Sequence, residues 1–513
     1  MHGLDFWNNP LVVSAFRVKY RRRSPTILSA LYVMLLVGLG MILYTYYPPT
    51  NPRPWTSVYF LCIIGLQFCI SGVWTLLATG NSLQSEVANR TLDFQRIVSL
   101  SPRQIMLGKL LGEPAECYLM AMSTLPLTLW CSAEGAVSLG VWALLYVQLA
   151  TLSLAMGTLG LLQNLEPPAG KPVGTRQGSL WISVIFILLF TMPSLLGNLP
   201  FLTRQPWTQA VLGLFTPLLV LHDLFDERSW QAQFSWFWWS APYLLVAPIA
   251  QIGLAALAFE AAARRLTFPR NPPVSKRRAL ALLLAFDVLA AGVVWDGSRL
   301  PTPADQRMGS FLLAHVLVGI VITLWITPQR EVLVSWIWRF RGQKPWLPDV
   351  LWGNRTENTL AVLAFALCGP LVAGLLVWWP AEAQGPSGVR SAGQIWASVG
   401  SASLTLAAWG WTYQYFLLAA GRHGRIPYLM LLMLVLVAPW VAGVYFHVPA
   451  ITALSPVAVF ADWVDSGAPS LPMAPLAVES ALLAALARFG TRTRLARHVA
   501  VVERKLQTMA VAD

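Results

Sequence analysis

Charged residues are scarce in this chain of 513 residues. Only 12% of the residues are Asp, Glu, Lys or Arg, whereas 56% are hydrophobic and the mean hydropathy is +0.57. A soluble domain carries about 25% charged residues, and half of that share does not cover the surface of a water-soluble protein of this size. The composition therefore excludes a soluble enzyme and predicts an integral membrane protein.

The sequence also lacks the motifs by which common catalytic sites are recognised. It contains no G-x-x-x-x-G-K-[ST] phosphate loop, no H-E-x-x-H zinc motif and no G-x-S-x-G nucleophile elbow. Its five cysteines are odd in number and scattered through apolar segments, so they provide neither a disulfide framework nor metal-ligand spacing. We expect no catalytic residue, no cofactor and no metal site in this chain, and no nucleotide hydrolysis through a phosphate loop.

Apolar segments long enough to span a bilayer, which takes about 20 residues in a helix, recur along the whole chain. We predict an all-α polytopic membrane protein with about twelve transmembrane helices and no extramembrane catalytic domain. The predicted spans are 26–47, 56–79, 105–131, 138–162, 179–200, 241–263, 279–295, 309–327, 359–379, 392–420, 427–447 and 474–488. The seventh and the twelfth are the weakest, because they are short and contain Asp287 and Glu479.

The positive charges fall unequally on the two sides that these spans define. With a cytoplasmic N-terminus, the inner segments contain 30 of the 36 Lys and Arg residues, and the outer segments contain 6. Because cytoplasmic loops carry an excess of Lys and Arg, both termini are predicted to be cytoplasmic and the protein to lie in the plasma (inner) membrane. Topology thus explains the net charge of +13, and we expect membrane lipids but no nucleic acid as partners.

The spacing of the spans repeats, which predicts two six-span halves. The span starts at 26 and 279 are 253 residues apart, as are those at 56 and 309. Repeats of this kind are common in transporters. The predicted organisation is an amphipathic interfacial (elbow) helix at 1–25, a first half at 26–268, a Pro/Arg-rich cytoplasmic linker at 269–278, a divergent second half at 279–490 and a basic cytoplasmic tail at 491–513.

Residues 81–109, the cytoplasmic segment between the second and third predicted spans, have the most distinctive sequence. We call this segment the first loop. An acid, Glu86, leads into Arg90-Thr91-Leu92-Asp93, and Ser101-Pro102 and Gly108-Lys109 follow before the third span. Together with the amphipathic N-terminal segment and six spans, these residues resemble the ABC type-2 exporter permease family. In that family this loop carries the coupling helix that docks on a separate ATPase.

The resemblance covers about residues 5–268 and implies a permease subunit that moves substrate by alternating access. It implies as partner an ABC ATPase, expected as a homodimer, which would supply ATP and Mg. Whether one chain or a homodimer of this chain forms the pathway stays open. From the resemblance we infer that the coupling residues of the first loop are Glu86, Arg90, Leu92 and Phe94. The equivalent segment of the second half, residues 327–358 (the second loop), lacks the Ser-Pro and Gly-Lys elements. Its coupling residues are inferred more loosely as Arg330, Glu331 and Trp338.

Three ionisable residues, Glu116, Asp287 and His315, are placed centrally in predicted spans. Ionisable groups inside a membrane are costly and mark functional pathways, so these residues are candidates for a polar pathway; hydrogen bonding between spans is the structural alternative. Two other functions stay open. An ion-coupled secondary transporter would depend on Asp287 or Glu116, and a membrane-embedded enzyme acting on lipid-linked substrates would use the outer residues His222, Asp223, Asp226, Glu227, Asp462 and Asp465.

Overall fold

The computed structural model describes most of the chain and is mostly helical. The described residues are 9–21, 24–47, 55–89, 91–92, 100–165, 214, 233–237, 239–268, 271–294, 304–339, 351–377, 392–420, 427–432, 434–435 and 473–510. The chain forms two compact units whose main boundary lies between Pro269 and Arg270.

The first unit is built from nine helices within the described ranges. The helices are α1 (Pro10–Arg21), α2 (Ser24–Tyr46), α3 (Trp55–Cys69), α4 (Thr75–Ala88), α5 (Pro102–Gly112), α6 (Ala115–Ser123), α7 (Leu125–Ala133), α8 (Leu139–Asn164) and α9 (Tyr243–Thr267). A π-helical turn, Ile70–Trp74, joins α3 to α4. The hairpin strands β1 (Gln233–Trp236) and β2 (Trp239–Pro242) precede α9.

The second unit contributes six helices of ten or more residues among its described residues. They are α10 (Lys276–Val294), α11 (Ala304–Ile326), α12 (Arg330–Arg339), α13 (Thr359–Val377), α14 (Ala392–Ala420) and α15 (Met473–Ala510). Helices α11 and α12 meet at a bend of 67°. The turn of Thr327 to Gln329 between them contains Pro328, which has no amide hydrogen to continue the backbone hydrogen bonding of α11.

Four helical stretches of the described chain are long and apolar enough to cross a membrane. They are Pro25–Tyr46, Trp55–Val87, Leu139–Gln163 and Tyr243–Thr267, and the bent pair Phe311–Ile326 with Arg330–Trp336 makes five if it counts as one span. The predicted mostly helical fold, with several apolar helices that could cross a membrane, is therefore confirmed. The count of twelve spans stays a prediction, since residues 179–200 and most of 427–447 lie outside the described residues.

The third predicted span, 105–131, is divided into the three short helices α5, α6 and α7. The first break falls at Glu113 and Pro114, and the second falls at Thr124, two residues before Pro126. A proline inside a helix removes one backbone hydrogen bond and clashes with the preceding turn. Hydropathy alone predicted a continuous helix here because it does not register this loss.

Small residues bring α4 and α8 into close contact. A Cβ atom on Gly160 would lie 2.5 Å from the Leu76 carbonyl oxygen, so only glycine fits at this position. The Thr79 hydroxyl donates a hydrogen bond to the Gly157 carbonyl at 3.1 Å, and the hydroxyls of Thr75 and Ser153 lie 3.1 Å apart. Membrane helices associate through small residues and interhelical hydrogen bonds of this kind, and here they fix the helix that leads into the first loop.

Helix α1, which falls inside the predicted interfacial segment 1–25, packs against α5. Cβ atoms on Gly108 and Gly112 would lie 2.6 Å from the Cβ atoms of Leu11 and Ala15, respectively. At the start of α1 the Asn9 side chain donates to the Gln104 carbonyl at 2.8 Å, and its oxygen accepts from the Leu11 amide at 3.0 Å. The two glycines, spaced as G-x-x-x-G, therefore allow the backbones of α1 and α5 to approach closely.

We expect Gly112→Ala and Gly253→Ala to shift stability in opposite directions. Nothing lies within 4 Å of a Cβ at Gly253 in α9, so alanine should stabilise that helix by about 0.5–1 kcal/mol. At Gly112 the added carbon meets Ala15, and overpacking should cost about 1–3 kcal/mol. Thermal unfolding of the detergent-solubilised protein measures both, and equal shifts in the two variants would contradict the close packing of α1 on α5.

Candidate functional site

Within the first loop, the connection between α4 and α5 ends at a capped start of α5. The Ser101 side chain accepts a hydrogen bond from the Gln104 amide at 3.2 Å, and the Gln104 side chain accepts one from the Ser101 amide at 2.9 Å. Pro102 follows in the first turn, where its missing amide hydrogen costs nothing. This capping box explains why Ser101-Pro102 marks the end of the loop.

An ion pair joins the two ends of the first loop. Glu86, in the last turn of α4, pairs with Lys109, which lies in the last turn of α5. The Lys109 side chain is 4% exposed and the Glu86 side chain is 22% exposed. Removing one partner of such a buried pair leaves the other charge without compensation, which is strongly destabilising. Glu86 therefore holds α4 and α5 together at the base of the loop.

The other first-loop residues predicted for coupling are only partly described. Leu92 is buried, and its neighbour Thr91 donates a hydrogen bond from its hydroxyl to the Glu86 carbonyl at 3.3 Å. Arg90 and Phe94 lie outside the described residues. Glu86 and Leu92 are thus engaged within the chain, and both can act on a partner by positioning the loop.

Two further ion pairs flank the base of the first loop. The Lys19 ammonium lies 3.4 Å from the Glu113 carboxylate and also donates to the Glu113 carbonyl, which ties α1 to the junction of α5 and α6. Arg103 pairs with Glu260 of α9 at 2.9 Å, but both side chains are exposed. An exposed pair of this kind contributes only about 0–1 kcal/mol to stability. The buried Glu86–Lys109 pair is therefore the main ionic contact at the base of the first loop.

The second loop begins at the bend between α11 and α12. Arg330 is the first residue of α12, and Glu331 is exposed in its first turn, where a carboxylate interacts favourably with the helix dipole. The two residues that follow, Val332 and Leu333, are buried. Trp338 belongs to the same helix. Among the coupling residues whose side chains the structure describes, Glu331 is the exposed one.

Lys276, at the start of α10, fixes the far end of the second loop. Its ammonium donates to the Thr356 hydroxyl at 2.6 Å, the Glu357 carbonyl at 2.9 Å and the Thr356 carbonyl at 3.3 Å. The side chain is fully buried. Burial lowers the pKa of Lys276 to about 7, and the Glu357 carboxylate offsets part of that shift. The start of α10 is thereby attached to the end of the second loop.

A second cation acts on the same segment from α15. Arg488 forms a two-pronged pair with the Glu357 carboxylate, at 3.1 and 3.2 Å, and also donates to the Thr359 hydroxyl. Asn358 donates to the Thr327 hydroxyl at 2.8 Å, which connects the two ends of the loop. None of these contacts was predicted, because the partners are far apart in sequence and no local periodicity relates them.

The structure brings together two of the three predicted pathway residues. The Asp287 oxygens lie 2.9 and 3.1 Å from His315 Nδ1, and both side chains are fully buried between α10 and α11. The ring of His315 lies against Gly369 of α13, where a Cβ would come within 2.8 Å of Nε2. Glu116 belongs to the first unit, half-buried in the first turn of α6.

The described residues show no metal site. No group of three or more His, Cys, Asp or Glu side chains within these ranges is arranged to hold a metal ion. The outer residues considered for an enzyme lie outside the described residues: His222, Asp223, Asp226, Glu227, Asp462 and Asp465.

The buried ammonium of Lys276 predicts a pH-dependent stability. An unfolded lysine has a pKa of about 10.4, so between pH 7 and pH 10 the unfolded chain binds more protons than the folded one, and stability rises with pH. We expect the wild type to gain unfolding free energy relative to Lys276→Met between pH 7 and pH 9, by at most about 1.4 kcal/mol per pH unit.

Chemical unfolding in detergent gives the unfolding free energy of the wild type minus that of Lys276→Met at each pH. The difference between the two pH values is the predicted gain. Lys276→Arg is the matched control, since its guanidinium stays charged over the whole interval and should show no gain relative to Lys276→Met. Parallel pH slopes for the wild type and both variants would show that Lys276 does not titrate in the folded protein over this range.

No protein-family model, curated protein or solved structure matches this chain. Its function is therefore inferred from the contacts described above.

Proposed function

We propose that this protein is the membrane-spanning permease subunit of an ABC exporter, driven by a separate ATP-hydrolysing subunit. In this proposal the chain forms twelve spans in two halves, with both termini on the cytoplasmic side of the plasma membrane. The observation that carries the proposal is the Glu86–Lys109 pair, which closes the base of the first loop.

A loop closed in this way transmits displacement to the helices that it joins. Residues 89–101 connect α4 to α5, and the buried ion pair holds the last turn of α4 to the last turn of α5. A push on the loop therefore moves both helices and is not absorbed by separating them. Helix α4 passes the motion to α8 through the tight contact at Gly157 and Gly160. A partner drives such a change only if it binds the two states differently.

The second loop is attached to its unit by different residues but with a similar result. Lys276 and Arg488 hold the segment 356–359 to α10 and α15, while Glu331 stays exposed on α12. This arrangement supports the second loop as a weaker counterpart of the first, with Arg330, Glu331 and Trp338 on the helix that faces a partner. ATP and Mg belong to that partner in this proposal.

Charge reversal at Glu86 tests the mechanism. Glu86→Lys places two cations at the loop base, so we expect at least a tenfold loss of transport-coupled ATPase activity with unchanged membrane insertion. The double variant Glu86→Lys with Lys109→Glu restores the pair in reverse and should recover much of the activity. Arg497→Glu, an exposed charge reversal on α15, is the matched control and should have no effect.

A photoreactive amino acid at position 94 or 331 should crosslink the partner in native membranes. Labelling with 8-azido-ATP then shows whether the crosslinked subunit binds nucleotide. A crosslinked, ATP-labelled subunit is expected. If neither position captures a nucleotide-binding protein, or if Glu86→Lys retains full activity, the proposal fails.

The Asp287–His315 pair favours one second candidate, an ion-coupled transporter. Buried acid–histidine pairs in membrane proteins form proton relays, and His315 Nε2 has no hydrogen-bond partner among the described residues. This candidate predicts proton uptake by proteoliposomes under an imposed potassium diffusion potential. Asp287→Asn should abolish that uptake, whereas Glu116→Gln in the first unit should not. Absence of proton uptake by the wild type would exclude this candidate under those conditions.

A further inference from the structure

A small cavity in the first unit is surrounded by aromatic rings. It measures about 260 Å³ and lies between the end of α2, the start of α3 and helix α7. Four aromatic side chains line it together with four smaller or aliphatic residues. The aromatic residues are Tyr44, Trp55, Tyr59 and Trp130, and the others are Val37, Gly40, Met41 and Leu127. We call this group of four rings the aromatic cage.

The rings of the aromatic cage are inclined to one another. The Trp55 ring contacts Tyr44 at a centroid distance of 5.4 Å and an angle of 77°. It contacts Trp130 at 5.5 Å and 51°, and Tyr59 at 6.0 Å and 32°. Because the planes differ, the rings line the open cavity at different inclinations and do not form a flat stack.

The base of the aromatic cage is fixed and its mouth is open. Tyr59 is only 2% exposed, and its hydroxyl donates to the Leu36 carbonyl at 3.0 Å, so its polar atom is already satisfied. Gly40 allows this ring to sit against α2, since a Cβ there would lie 3.1 Å from it. Tyr44 and Trp130 are 64% and 43% exposed, respectively, so a ligand reaches the cavity past their rings.

The chemistry of the aromatic cage suits one type of cation. The faces of tryptophan and tyrosine rings attract a cation that lies within about 6 Å of their centroids, and no described lining residue carries a charge. A primary ammonium would lose the hydrogen bonds of its N–H groups in such a lining. A quaternary ammonium has no N–H group to satisfy, and aromatic cages are the usual means by which proteins recognise it.

The position of the aromatic cage indicates where the cation comes from. Tyr44 lies near the end of the candidate span Pro25–Tyr46, and Trp55 begins the candidate span Trp55–Val87. Tryptophan and tyrosine at span ends sit at the level of lipid headgroups. The exposed acid Glu134 follows α7, and its amide bonds to the Trp130 carbonyl at 3.0 Å, which places a negative charge one turn beyond that ring. We propose that the aromatic cage binds the choline headgroup of phosphatidylcholine.

Lipid retention after purification tests this site independently of what drives transport. The full chain is purified from mixed micelles of phosphatidylcholine and phosphatidylethanolamine, and the retained lipids are counted by native mass spectrometry. We expect the wild type to prefer phosphatidylcholine about tenfold. Trp55→Leu and Trp130→Leu should each remove most of this preference. Trp55→Phe, which keeps a weaker ring face, should give an intermediate value and shows that loss of folding is not the cause.

Trp74→Leu is the matched control, because Trp74 is similarly exposed but lies outside the cavity; it should leave the preference intact. Tetramethylammonium should displace phosphatidylcholine from the wild type and have no effect on Trp55→Leu. Equal retention of both lipids by the wild type, or equal loss of both in the variants, would reduce the rings to general membrane anchors and overturn the proposal. Saturable binding of soluble choline without any lipid preference would overturn phosphatidylcholine as the source.

Discussion

Polar groups buried in a largely apolar chain must find their partners within it, and this constraint governs the arrangement of the helices. An unsatisfied polar group in apolar surroundings costs several kcal/mol, so a buried hydroxyl or ammonium that bonds to another element holds that element in place. Thr79 joins α4 to α8, Lys109 joins α5 to α4, and Lys276 joins α10 to the second loop. The cations among these contacts lie in the first or last turn of their helices.

The helices that hydropathy predicts best are those whose own composition is sufficient to define them. The segments 26–47 and 138–162 correspond to α2 (Ser24–Tyr46) and α8 (Leu139–Asn164) to within two residues at either end. Residues 105–131 form three helices and not one, because Pro114 and Pro126 interrupt the backbone hydrogen bonding. Average hydropathy measures how apolar a segment is, and it carries no information about the geometry of a single proline.

The candidate site was predictable only as single residues. Glu86 stands out in the sequence as an acid before a basic motif, but its pairing with Lys109 depends on how α4 and α5 meet. Asp287 and His315 were each predicted from their place in an apolar segment, and only the packing of α10 on α11 makes them a pair. Lys276 gave no signal, since a lysine in a basic linker looks exposed until the fold buries it.

The π-helical turn Ile70–Trp74 determines the direction in which the side chains of α4 point around the helix axis. A π turn holds one residue more than the α-helical turn that it replaces, and each residue of an α-helix advances the chain by about 100° around the axis. Thr75 accommodates the wider turn by donating from its hydroxyl to the Ile70 carbonyl at 3.4 Å. Without the extra residue, every side chain beyond it would turn by roughly a quarter of a revolution relative to α3. Thr79 would then face away from α8, and Glu86 would face away from Lys109. The direction in which Glu86 points from α4 is thus determined about four helical turns before it, inside the apolar part of the chain.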